Sequence, residues 1–338
     1  MIRGVYLLLL LCSLSYTQTT ISISEQDSAL LLEAFHLQAQ LGPKVWKGWE
    51  GVKVPFLYRK DSMEFLLNHP LPSLDFESSE MLFYNQPIYW KRRSDFKKIN
   101  ASYPINGIAT VIMSSPGEDE IKIEWVLKAC HEMFHVFQEN KLTKKLRETH
   151  EFDTGQYSGT NEISFPYPYA EDKILAIQKL ESEKIFRLLK SDSLEIGNVK
   201  IQQRRFTDII RITRELLKEQ QFAQFKSHME WKEGVARYVE QKLALKATEN
   251  YSPSEGFITY YPKENYKMIS PRYSYASTVA PIRFVGEGVI GKIMFYYLGM
   301  GKAYLLDRIQ PDWKQEYFKK SLDELIVGEE QYLMCTQF

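Results

Sequence analysis

His131-Glu132-Met133-Phe134-His135 sets two imidazoles four residues apart with a carboxylate between them, inside a segment striped with apolar residues. At about 100° per residue, positions 131 and 135 fall one turn apart on one helix face, where both rings can reach a single metal ion at about 2.0–2.1 Å. Glu132 sits beside that face, within reach of a water on the metal. The chain has six histidines, at 36, 69, 131, 135, 150 and 228, so two of them at this spacing carry weight. Around the motif, Val126, Leu127, Cys130, Phe134 and Phe137 recur at helical spacing over 119–139, behind Pro116-Gly117 and acidic residues of the first turn. This predicts a helix with the motif well inside it.

A catalytic zinc site has three protein ligands and an open position for water. The metzincin pattern would put Gly at 138 and His at 141, but Gln138 and Lys141 stand there, which excludes that class. A later stretch, 230–240, contains Glu233-Gly234-Val235-Ala236-Arg237-Tyr238. This run resembles the glutamate helix of gluzincins, the zinc peptidase superfamily that includes thermolysin-like and alanyl-aminopeptidase-like enzymes. The resemblance implies one catalytic Zn2+ held by His131, His135 and Glu233, with Glu132 as general base for hydrolysis of peptide bonds. It implies an α+β, zincin-like fold: a small N-terminal mixed sheet with the active-site helix, then a mostly helical C-terminal part. Gly234 and Ala236 would let the glutamate helix pack against the histidine helix.

Three further expectations attach to the resemblance. Thermolysin-like enzymes carry, four residues after the ligand glutamate, an acid that orients a metal histidine, and Arg237 stands there instead. The acceptor must come from elsewhere, and Glu240, on nearly the same face as Glu233, is a candidate. Glu230 and Glu240 are rival third ligands, while His150 and His228 read as loop and helix-surface histidines. Gluzincins supply a Tyr or His downstream of the glutamate helix to the oxyanion; in 270–275 the candidates are Tyr275, taken as catalytic, and Tyr273. The absence of a Gly-x-Met-Glu-Asn-type run favours an endopeptidase or processing enzyme over an aminopeptidase. The competing reading is a catalytically degenerate, zinc-binding peptidase-like domain acting as an exported binding protein, against which Glu132 argues, since a purely structural site needs no base. A third is a non-enzymatic helical surface protein with a chance motif.

The chain of 338 residues is long enough to bury a large core, and its 43 basic and 43 acidic side chains cancel. Neutrality argues against nucleic acid or an anionic membrane as main partner and says nothing against an enzyme; a peptide or protein substrate is what the resemblance implies. Arg3, the apolar run 5–11, and Ser13 and Ser15 have the anatomy of a signal peptide over 1–15, which predicts an exported, periplasmic or extracellular protein with no membrane span after cleavage. Lipid attachment at Cys12 is disfavoured by Leu11 before it. Cys130 and Cys335 can form at most one disulfide, and Cys130 points about 100° away from His131, as a buried thiol would. Asn100-Ala101-Ser102 and Asn250-Tyr251-Ser252 fit glycosylation acceptors.

Periodicity predicts one domain over 16–338, with sheet over about 42–140 and helix over about 168–338. A helix is expected at 24–41, strands at 81–84, 87–90 and 105–113, and a long polar loop at 141–168. Helices are expected at 170–190, 201–225, 229–246, 285–298 and 303–309, with Gly286, Gly288 and Gly291 giving a close helix approach. The strand at 105–113 stands where zincins place the edge strand that binds extended substrate. Oligomeric state is left open by the sequence.

Overall fold

The computed structural model describes residues 22–50, 53–143, 162, 165–191, 196–217 and 220–336. The signal-peptide reading of 1–15, Cys12, His150 and most of the expected loop at 141–168 lie outside the described residues, as does the side chain of Cys335.

Helix α1, Glu25–Val45, begins where Ser24 accepts the Asp27 N–H at 3.1 Å, with Glu25 and Asp27 favourably placed at the positive end of the helix dipole. It buries a stripe that includes Leu30, Leu31, Ala34, Leu37 and Leu41. Six strands follow: β1 Phe56–Lys60, β2 Met63–Leu67, β3 Glu77–Phe83, β4 Gln86–Arg92, β5 Asn100–Ile105 and β6 Ile108–Ser114. They form one mixed sheet in the order β3-β4-β2-β1-β6-β5, antiparallel except where β1 runs parallel to β6. Two tight hairpins close on Tyr84-Asn85 and Asn106-Gly107, all four residues at positive φ, the backbone that matches the sheet's twist.

The sheet is larger than the three expected strands. β1 and β2 escape a hydrophobicity reading because Arg59 and Glu64 face each other across the ladder and pair at 2.8 Å, so two charges sit in buried strands. β5 escapes it because Pro104 breaks the pattern; on an edge strand its missing N–H costs nothing. The expectation that 105–113 forms an edge is corrected: β6 is flanked by β1 and β5, and β5 is the edge.

Helix α2, Lys122–Lys141, carries the histidine motif and packs on β5, β6 and α1. It has no side-chain cap of its own. Glu264, from far along the chain, accepts the N–H groups of Lys122 and Ile123 at 2.8 and 3.3 Å, and Trp125 Nε1 donates to the Ser114 carbonyl at 2.8 Å. The helix is thereby anchored to both halves of the fold.

The rest of the described residues are mostly helical: α3 Asp172–Lys190, α4 Ile196–Leu216, α5 Gln220–Met229, a five-residue π turn Glu230–Gly234, α6 Val235–Asn250, several short turns, α7 Ile293–Ile309 and α8 Leu322–Val327. The expected helix at 201–225 is two helices. The helix expected from 285 starts only at Ile293, because Gly286 and Gly291 adopt φ of +83° and +88° and Val285 bridges Val289. It then continues unbroken through the stretch expected separately at 303–309. No helix among the described residues is long and apolar enough to cross a membrane.

Candidate metal centre

His131 and His135 project from α2 into the interior, 6% and 2% exposed, and their Nε2 atoms stand 3.1 Å apart. Glu233, on the π turn, brings Oε2 to 3.3 Å from His135 Nε2 and 3.5 Å from His131 Nε2. Three ligand atoms of a tetrahedral zinc, each about 2.0–2.1 Å from the ion, stand about 3.3–3.4 Å from one another. The observed triangle of 3.1, 3.3 and 3.5 Å fits that ion. Glu132 is half-buried beside it, with a carboxylate oxygen within 4.8 Å of a ring nitrogen of each histidine.

The outer ring nitrogens explain why both Nε2 atoms face inward. His131 Nδ1 lies 3.2 Å from Glu240 Oε2, and His135 Nδ1 lies 2.6 Å from Gln138 Oε1. Each acceptor holds its ring as the Nδ1–H tautomer, with the Nε2 lone pair aimed at the shared point. Glu240 is the acceptor that Arg237 cannot be. Arg237 in turn bonds Glu240 Oε1, so the carboxylate is fixed from both sides.

Gln138 is the residue that sequence reasoning missed. It appeared there only as the departure from a metzincin glycine, yet its Nε2 donates to the carbonyls of Lys232 and Trp231 at 3.0 and 3.3 Å and lies 2.6 Å from the Tyr317 hydroxyl. One amide thus orients a histidine with its oxygen and ties α2 to the π turn with its nitrogen. Its position three residues after His135, on the same face, was the available signal. Glu233 lies in the π turn Glu230–Gly234, and Glu240, seven residues on in α6, lies on nearly the same face, so both come to face α2.

The electrostatics favour a cation. Burial pushes the His131 imidazole down, but Glu233 and Glu240 outweigh it and bring its pKa up to about 10. Burial likewise opposes charge on Glu233, whereas His135, His131 and Lys232 hold its carboxyl well below the usual range. Enclosure raises the Glu132 carboxyl, the direction a general base for neutral pH needs.

Several expectations are corrected here. Tyr275 is away from the triangle: its hydroxyl donates to the Leu189 carbonyl at 3.2 Å and its ring packs on Tyr304. The phenol at the site belongs to Tyr296 on α7, whose ring stacks on His131 with centroids 6.1 Å apart and planes 11° from parallel; burial, with Glu233 and Glu132 nearby, pushes its hydroxyl well up. Glu230 faces away, between Lys226 and Lys302 at 2.5 and 2.7 Å. His228 is a buried partner of Glu162, at 2.7 Å, rather than a surface histidine, and Glu162 also pairs with Lys232 at 2.8 Å. Cys130, by contrast, is the buried thiol that was expected, with Sγ 3.6 Å from the Ala34 carbonyl, and burial pushes its thiol up.

Gly234 packs against α7, not against the histidine helix. A Cβ on Gly234 would stand 2.4 Å from Gly299 Cα, and one on Gly299 would stand 2.2 Å from the Glu230 carbonyl oxygen. Both obstacles are backbone. Gly299→Ala therefore forces α7 away from the π turn, at an expected cost of about 1–3 kcal/mol in urea denaturation, with weaker metal retention because Glu233 moves with the turn.

Comparison of the chain with protein-family models, curated proteins and solved structures found no match.

Proposed function

We propose that the protein is a zinc-dependent metallopeptidase of gluzincin type, with an α+β zincin-like catalytic domain. The observation that carries this reading is the triangle of His131 Nε2, His135 Nε2 and Glu233 Oε2, its rings locked from outside by Glu240 and Gln138, with Glu132 beside it. A site that only stabilised the fold would have no use for the adjacent carboxylate.

When bound, Zn2+ would acidify a coordinated water and polarise the scissile carbonyl. Glu132 takes the proton of the attacking water as its oxygen bonds to the carbonyl carbon, then delivers a proton to the leaving amine as the C–N bond breaks. Tyr296, stacked on His131 in the cavity wall, is the hydroxyl that would donate to the oxyanion. Gln138 and Glu240 hold the imidazoles in the tautomer that leaves Nε2 free. Substrate has a cavity of about 290 Å³ next to the triangle, in whose wall Asn100 begins the edge strand β5. The ladder with β6 turns the backbone groups of Asn100 and Ser102 outward, where an extended peptide can add to the sheet. Export of the enzyme belongs to the same proposal and rests on the pattern of residues 1–15.

The test is metal content. The purified protein should carry about one zinc per chain by mass spectrometry; Glu233→Ala should lose it on dialysis, and Glu240→Gln should lower zinc affinity by about 10–100-fold. Wild-type protein that takes up no zinc overturns the reading.

A further inference from the structure

The cavity wall holds two cations to which the proposed reaction gives no contact with the reacting atoms. Arg237 meets Glu240 through Nη1 alone; among the described residues its Nε and Nη2 have no hydrogen-bond partner, and the side chain is 32% exposed, toward the cavity. Lys128 lies one turn before His131 and Glu132 on α2, lines the same cavity, and is 45% exposed with its ammonium 2.8 Å from Glu120. Ile293, Tyr296 and Tyr297 line the same cavity. With Nη1 held by a buried carboxylate, Nε–H and Nη2–H lie side by side in the guanidinium plane as a fork, and the planar acceptor that matches a fork is a carboxylate.

We propose that Arg237, with Lys128 beside it, is a carboxylate receptor, so that the preferred substrate is an acidic peptide or a peptide ending at its free C-terminus in this cavity. The proposal rests on the peptidase reading for its substrate class but not for its recognition chemistry. The apolar wall takes the stem of the residue, Arg237 takes its carboxylate, and Lys128 adds attraction that salt weakens.

The test uses zinc-loaded full-length protein and a set of hexapeptides in which one Glu is moved through each position, with Gln controls and with free or amidated C-termini. The ratio of kcat/KM between each acid and its neutral control is read for cleavage, and the ratio of Kd is read on Glu132→Gln protein. One acid, internal or terminal, should be favoured at least about tenfold, and the position of that preference distinguishes a side chain from the C-terminus. Arg237→Gln should bring the ratio close to one, Arg237→Lys should restore part of it, and Lys128→Gln should reduce it and its salt dependence. A wild-type ratio near one, or a ratio that survives Arg237→Gln, overturns the proposal. If Arg237→Gln does not fold, Lys128→Glu decides: an unchanged preference overturns the proposal. Peptides that are bound with an Arg237-dependent acid preference but never cut would sink the peptidase reading and leave the receptor standing.

Discussion

Glu132→Gln should lower kcat on any cleaved peptide by about 10²–10⁴-fold while the zinc content stays at the wild-type value. The amide keeps the shape of the carboxylate but cannot take a proton from water. Glu132 is not at a corner of the ligand triangle, so its replacement leaves the three ligand atoms and their outer partners in place. Loss of metal together with loss of activity would mean that Glu132 holds the ion or the fold. Equal activity in the two proteins would end the catalytic assignment and favour a peptidase-like binding protein. In the proposed mechanism Tyr296 would act on the oxyanion and not on the water, so Tyr296→Phe should cost less than Glu132→Gln, and Tyr275→Phe should cost next to nothing.

The largest effect on stability is expected from Lys302→Met. Lys302 is fully buried on α7, with Nζ at 2.7 Å from Glu181, 2.7 Å from Glu230 and 2.6 Å from Asp323. Lys226 adds a second cation, 2.9 Å from Glu181 and 2.5 Å from Glu230. Three carboxylates thus surround two ammonium groups. Burial opposes the charge of Lys302, and Asp323, Glu181 and Glu230 outweigh it, holding its pKa well above the ordinary lysine range. Removing it leaves the carboxylates facing Lys226 alone inside the protein, with an expected loss of about 3–5 kcal/mol, read from the urea midpoint at unchanged slope. Burial raises the Glu230 carboxyl, so Glu230→Gln is expected to be milder, and adding it to Lys302→Met should recover part of the loss. If Lys302→Met costs less than about 1 kcal/mol, the network does not hold this part of the fold. The same variant should weaken zinc binding, because Glu230 opens the π turn that carries Glu233.

The two motifs were legible because their spacing is local chemistry. A helix period of 3.6 puts residues 131 and 135 on one face whatever surrounds them, and the apolar stripe from Val126 to Phe137 fixes which face is buried. The division into a sheet-bearing first part and a helical second part was likewise written in the pattern of Pro, Gly and aromatic residues against Leu, Glu and Lys. The strands β1, β2 and β5 were not legible. Their charges and proline are harmless only because of what lies across the ladder or beyond the edge, which no single strand's residues contain.

By itself, then, the sequence determined a histidine pair with a carboxylate between them, a later helical run around Glu233-Gly234, and the departure from a metzincin pattern at Gln138 and Lys141. The tertiary structure decided the partners. It set Glu233 3.3 and 3.5 Å from the two Nε2 atoms, gave His131 to Glu240 and His135 to Gln138, placed Tyr296 rather than Tyr275 at the site, and turned Gly234 to Gly299. The physical reason is that a ligand set closes over residues far apart in the chain. The seat of the π turn on α7 depends on two glycines in contact, its tie to α2 depends on one amide donating to its carbonyls, and such contacts leave no periodic trace in the sequence.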